Sequence, residues 1–227
     1  MMKLIKNYEN ENGNTALFVI AALSMLMVLF VFVFNMGSAL FTKEQSFTVA
    51  KQASLAASSS LYDQVRSSLT GLIITYGEDP ENQQTWSFDE EWDGRIGRCT
   101  GNDSYNECQV EVLEEIVNAA LGVPLLGDIL KGRLSTSVNE SHIISAAKQA
   151  ITSNGGTTDG AELMIRDNRF KVRAAAVFNS ISYDDDYLEN KGEKYLDGIS
   201  KNIYRDSQGP KIAFLEEIIN TGSYSLE

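Results

Sequence analysis

With one histidine and only two cysteines, the 227-residue chain leaves little material for catalysis or metal binding. His142 is the only imidazole that could serve a nucleophile-base pair, and no serine or cysteine stands in a recognisable nucleophile motif. Two cysteines and His142 cannot complete the usual four ligands of a zinc site. There is no glycine loop with a following lysine to cradle phosphate, so Gly155-Gly156 reads as a turn. His142 itself reads as a residue of a helix surface, and neither a cofactor nor an enzymatic activity is expected. Three prolines and 17 glycines do not suit a disordered tail or a long linker.

Charge is missing from one stretch, Thr15 to Phe41, where 27 consecutive residues carry none. As a helix it would span about 40 Å, more than the hydrocarbon core of a bilayer at about 30 Å. Its centre, Met25 to Phe34 (MLMVLFVFVF), is too apolar for a soluble helix to expose. A cleaved signal peptide is the other reading, with Gly37-Ser38-Ala39 as a weak cleavage patch. The apolar run is nearly twice the usual signal length, which favours a retained transmembrane helix. Lys3 and Lys6 precede the span and Lys43 and Lys51 follow it, so flanking positive charge is close to a tie on orientation.

The cysteines bear on the side. Cys99 and Cys108 stand in a polar run, RCTGNDSYNEC, that reads as a local disulfide loop of an oxidising compartment outside the cytoplasm. Two unrelated free thiols are the alternative. The net charge of −12 lies entirely after the span, because the first 14 residues carry two acids and two bases. Such a surface disfavours nucleic acid and anionic lipid.

These features divide the chain into a cytoplasmic tail (1–14), a transmembrane helix (15–41), an amphipathic stalk helix (42–78) and an extracytoplasmic α+β domain (79–227). In the stalk, Phe47, Ala50, Ser54, Ala57, Leu61, Val65, Leu69 and Ile73 recur every three or four residues, the face of one helix. The small residues from Ala50 to Ser60 either admit a second helix closely or belong to a weakly packed amphipathic helix. Tyr76 to Pro80 should end the helix. Trp86, Phe88 and Trp92 in the polar stretch 81–108 read as anchors pinning a long loop to the core, with a partner-binding patch as the alternative. Helices are expected over 109–121, 125–134 and 141–153, the last capped by Ser141. Glu162–Arg166 and Phe170–Ile181 then flank Asp167-Asn168-Arg169 as a hairpin, part of a late antiparallel sheet. Lys211–Ile219 could be a strand or a short helix. Asp184, Asp185 and Asp186, followed by Glu189, Glu193 and Asp197, form a weak candidate calcium site without EF-hand spacing, and solvated loop charge is the default reading.

Residues 13–57 resemble the N-terminal region of TadE/TadG-like proteins of the Flp, or tight-adherence, pilus system. In that family a short tail ends in glycine, one apolar helix follows, an Asp-x-Gly motif closes the span and an alanine-rich helix continues outside. Gly13 opens the span here, Asn35-Met36-Gly37 stands at the Asp-x-Gly place with asparagine for aspartate, and Gln52 to Ala57 matches the alanine-rich part. The resemblance implies a helix-packing component of a pilus or secretion apparatus whose partners are the bilayer and other pilin-like or pilus-assembly membrane proteins. Ala16, Ala21, Ala22, Gly37, Ala39, Ala50, Ala53 and Ala57 are the expected packing positions. Two departures matter: the Asp-x-Ser-x-Ser metal motif of some relatives is missing, and Phe18 stands where prepilin-like members keep a glutamate five residues after the glycine. A tethered binding or sensor domain unrelated to pili is the alternative function, and an exported enzyme a third.

Overall fold

The computed structural model describes residues 11–77, 83–99, 105–180 and 200–227. They fall into two compact units, residues 11–42 with 178–180 and 200–201, and residues 43–77, 83–99 and 105–177 with 202–227. Helix α1 runs from Glu11 to Leu69, 59 residues without a proline. It stops where Gly71 turns left-handed at φ +74°, a conformation that costs glycine little, and the Gly71 N–H donates to the Asp89 carboxylate at 3.1 Å. The expected helix to Tyr76 is therefore too long. Ile73–Tyr76, a β-branched and aromatic run, forms strand β1 instead and pairs antiparallel with β2 (Gln84–Ser87), Ile74 opposite Trp86.

The stalk assignment needs a second correction. Val49, Ala50, Ala53, Ala57, Leu61, Val65 and Leu69 are completely buried, so this part of α1 is the central core helix of the second unit, which begins at Lys43 rather than Asp79. The stripe was readable, but periodicity alone does not say whether its cover comes from the same chain. Ser54 and Ser58 are buried beside it, their hydroxyls donating to the carbonyls of Lys51 at 2.8 Å and Ser54 at 3.0 Å. Buried Ser46 accepts from the Ala176 N–H at 3.0 Å. Gly209 packs so closely on this stripe that an added Cβ would lie 2.9 Å from Ser58 Oγ. The small-residue zone thus admits a close neighbour from its own chain.

The stretch expected as a long loop contains β2, helix α2 (Phe88–Ile96) and a 3-10 turn at Gly97–Cys99. Its aromatics do anchor it. Phe88 is buried between Trp86 and Trp92, ring centroids 6.4 and 5.8 Å away, and the Arg66 guanidinium lies 4.5 Å above Trp92. Helices α3 (Tyr105–Leu121), α4 (Leu126–Ser137) and α5 (Glu140–Ser153) follow. Between α3 and α4 the chain turns sharply: Leu125 sits at φ +64°, and the Leu126 N–H donates to the Pro124 carbonyl at 2.8 Å, a γ-turn that strains a non-glycine residue. The α5 cap is Asn139, whose side chain accepts from the Ser141 N–H at 2.9 Å, not Ser141 itself. The helix starts one residue earlier than expected because Asn139, extended at φ −102° and ψ 107°, stops it first.

A four-stranded sheet completes the fold, ordered β5-β4-β3-β6 with β3 Thr157–Arg166, β4 Arg169–Asn179, β5 Ser200–Gln208 and β6 Gly222–Ser225. Strands β3 and β4 form the expected hairpin around a two-residue turn, Asp167-Asn168, both left-handed at φ +57° and +55°. Ala161, Leu163, Ile165, Phe170, Val172 and Ala174 face the core, and α5 packs on β3. The stretch at Lys211–Ile219 contains the one-turn helix α6 (Leu215–Ile218). The class is α+β behind a long apolar N-terminal helix.

Candidate functional site

The feature that stands out as a site is the outer surface of α1 before Thr42. From Thr15 to Phe34 every residue is exposed, including Leu17, Phe18, Met25, Met27, Phe30 and Phe32. Water does not tolerate such a surface on a helix, since each exposed large side chain forgoes about 1.5–3 kcal/mol of burial. The segment is long and apolar enough to cross a membrane by length and composition. Its polar side chains adapt to that setting: the Ser24 hydroxyl donates to the Ile20 carbonyl one turn back at 2.9 Å.

The expected packing positions divide into two groups. Ala16, Ala21, Ala22 and Gly37 are exposed, and Ala39 is half-buried. A Cβ built on Gly37 meets nothing within 4 Å, so its missing side chain serves no contact inside the described chain. Ala50, Ala53 and Ala57 are completely buried in their own core. Their expected part in contacts between subunits is corrected to internal packing, because no surface remains there for a partner. Of the family-motif positions, Gly13 lies in the first turn of α1 and Asn35 is half-buried on the same helix.

Cys99 and Cys108 are joined, with Cα atoms 5.5 Å apart, and both are buried. The bond ties the end of the 3-10 turn to the first turn of α3, and Arg98 and Arg95 reach Glu115, further along α3, at 2.7 and 3.7 Å. His142 is exposed in the first turn of α5 and borders an open polar groove of about 640 Å³ with Ser60, Asp63, Gln64, Ser137 and Asn139. The groove's walls are tied together by the Asn139 N–H donating to Gln64 at 2.7 Å, a structural role. The candidate calcium residues Asp184, Asp185 and Asp186 lie outside the described residues. Among the described residues no three His, Cys, Asp or Glu side chains are grouped to hold a metal.

Of the perturbed groups in the second unit, Tyr62 and Asp167 are structural. Burial first, and then the 2.5 Å hydrogen bond to Glu114, push the Tyr62 phenol far above its ordinary value. The Lys171 ammonium donates to Asp167 beside the hairpin turn and holds that exposed carboxyl below the usual range. Neither sits in a cleft with a second reactive group. The site that matters is a helix surface, and comparison with known proteins bears on that surface. Residues 13–60 match the family model described as putative Flp pilus-assembly TadE/G-like. The TadE/G-like region includes every expected packing position from Ala16 to Ala57 and ends inside the core helix. No curated protein and no solved structure matches the chain.

Proposed function

We propose that the chain is a single-pass, membrane-anchored component of a pilus or related secretion apparatus that acts by helix packing rather than catalysis. The observation that carries this reading is the coincidence of the TadE/G-like match with the exposed apolar part of α1. The span crosses the bilayer with its N-terminal tail in the cytoplasm and the second unit outside, an orientation supported by the Cys99–Cys108 disulfide. Inside the bilayer apolar side chains meet equally apolar lipid, so association between helices depends on close backbone approach at small residues. Ala16, Ala21, Ala22, Gly37 and Ala39 offer that approach to other pilin-like or pilus-assembly membrane helices.

Replacing Ala21, Ala22 and Gly37 together by leucine tests the reading. Leucine keeps the span hydrophobic and the second unit untouched, so membrane insertion and the disulfide should persist while co-purification of partner proteins and pilus assembly fall at least tenfold. Unchanged co-purification and assembly would refute helix packing at these positions.

A further inference from the structure

The four-stranded sheet ends on one side in β6, only four residues long, and on the other in β5, nine residues long and without a proline. Just past the end of β5 the Gly209 N–H donates to the Phe170 carbonyl of β4 at 2.9 Å. Backbone groups of an antiparallel strand turn to its two sides alternately, so Ile203, Arg205 and Ser207 face β4. Asn202, Tyr204, Asp206 and Gln208 turn their N–H and C=O groups away from it, and those outward groups have no hydrogen-bond partner among the described residues. Such a row is a template for another strand, because an extended backbone repeats its own donors and acceptors at the same spacing of about 7 Å.

Two side-chain features mark the same edge. A groove of about 610 Å³ is lined by Asp206, Ser207 and Gln208 of β5 and by Phe47 and Lys51 of α1, and Phe47 is 44% exposed. Arg205 lies on the same face of β5 as Ser207 and makes no ion pair among the described residues. Its Nε is buried without an acceptor, and no other buried side-chain nitrogen or oxygen among the described residues lacks a partner. Buried polar groups are normally satisfied, so an orphan donor on an open edge calls for an acceptor from outside.

We propose that β5 is the docking edge for an extended segment of a partner protein, which adds a fifth strand to the sheet. Main-chain hydrogen bonds to Asn202, Tyr204, Asp206 and Gln208 hold the segment, while an apolar side chain covers Phe47 and an acidic one meets Arg205. A second copy of β5 does not fit this role. In the three two-fold registers with most overlap it would place Lys201, Ile203 or Arg205 opposite Arg205, and none of these accepts a hydrogen bond. That the partner belongs to the same apparatus rests on the function proposed above.

The test compares native complexes extracted from host membranes with the full chain purified alone in detergent, by hydrogen–deuterium exchange resolved across residues 200–209. In the lone chain the amides of Asn202, Tyr204, Asp206 and Gln208 should exchange at least tenfold faster than those of Ile203, Arg205 and Ser207. In the complex they should slow at least tenfold. Asp206→Pro and, at the end of the strand, Gln208→Pro each remove one outward N–H and leave the pairing with β4 intact. Circular dichroism and the intact disulfide report folding of each variant. Both should lose protection at the remaining outward amides and at least tenfold of the co-purifying partner. Outward amides already protected in the lone chain, outward amides unprotected in the complex, or folded proline variants that keep both protection and partner would each overturn the proposal. Assembly that survives the leucine substitutions in the span but fails in Gln208→Pro would remove helix packing and keep strand addition. The opposite pattern would remove strand addition alone.

Discussion

Single atoms decide several features of the second unit, and Gly127 is the sharpest case. A Cβ built there would lie 2.4 Å from the Leu121 carbonyl oxygen, which belongs to backbone and cannot swing aside. Gly127→Ala should therefore force α3 and α4 apart and lower stability by about 2–3 kcal/mol, measured by urea unfolding in detergent. Tyr62 supplies a pH signature. Its phenol is held neutral by burial and by Glu114, so the folded-state value lies above the unfolded one near 10. Its contribution is complete below that pH and is lost as the pH rises above it. Tyr62→Phe should cost about 1–2 kcal/mol at neutral pH through the lost hydrogen bond, and should flatten the alkaline decline in melting temperature. A variant that melts like wild type at every pH would contradict this account of Tyr62.

At the scale of elements, helices α3 to α5 and the hairpin were legible because their signals are local, whereas α2 lies in a stretch read as a loop. The apolar repeat of Val110, Leu113, Ile116, Val117 and Ala120 lies within α3, and Asp167-Asn168 provides the two left-handed residues a tight hairpin requires. What escaped notice depends on partners distant in sequence. Ile73–Tyr76 continues an apolar repeat that also suits a helix, and only the glycine at 71 and the pairing with Gln84–Ser87 make it a strand. Strand β6 is four residues long, too short for alternation to register, and exists because β3 pairs with it, Leu163 opposite Tyr224. The candidate site was legible for the same reason as the helices, since 27 uncharged residues need no tertiary context. The burial of Ala50, Ala53 and Ala57 was not, because a stripe facing its own core and one facing a partner have the same spacing. The disulfide belongs to this scale as well. Replacing both Cys99 and Cys108 by serine should lower stability by about 2–3 kcal/mol, the value for a short loop. In membranes of the native host, the wild-type protein should resist thiol labelling until reduced; ready labelling without reductant would argue against the second unit lying outside.

Across the whole molecule, the two units ask for different surroundings. The residues from Thr15 to Phe34 present an apolar helix exposed throughout, while Lys43 onward forms an α+β core around the same helix. The proposed anchored component of a pilus apparatus would reconcile them, with lipid and neighbouring spans covering the first and an oxidising aqueous space suiting the second. A mere tether would satisfy the same solubility demands, and the difference lies in whether the identity of the span matters. The decisive measurement replaces residues 15–41 with an unrelated uncharged apolar helix of equal length, and reads pilus assembly and partner co-purification in the native host. With insertion and the disulfide verified as normal, helix packing predicts that both are lost. Assembly and co-purification at wild-type levels would contradict it and reduce the span to an anchor.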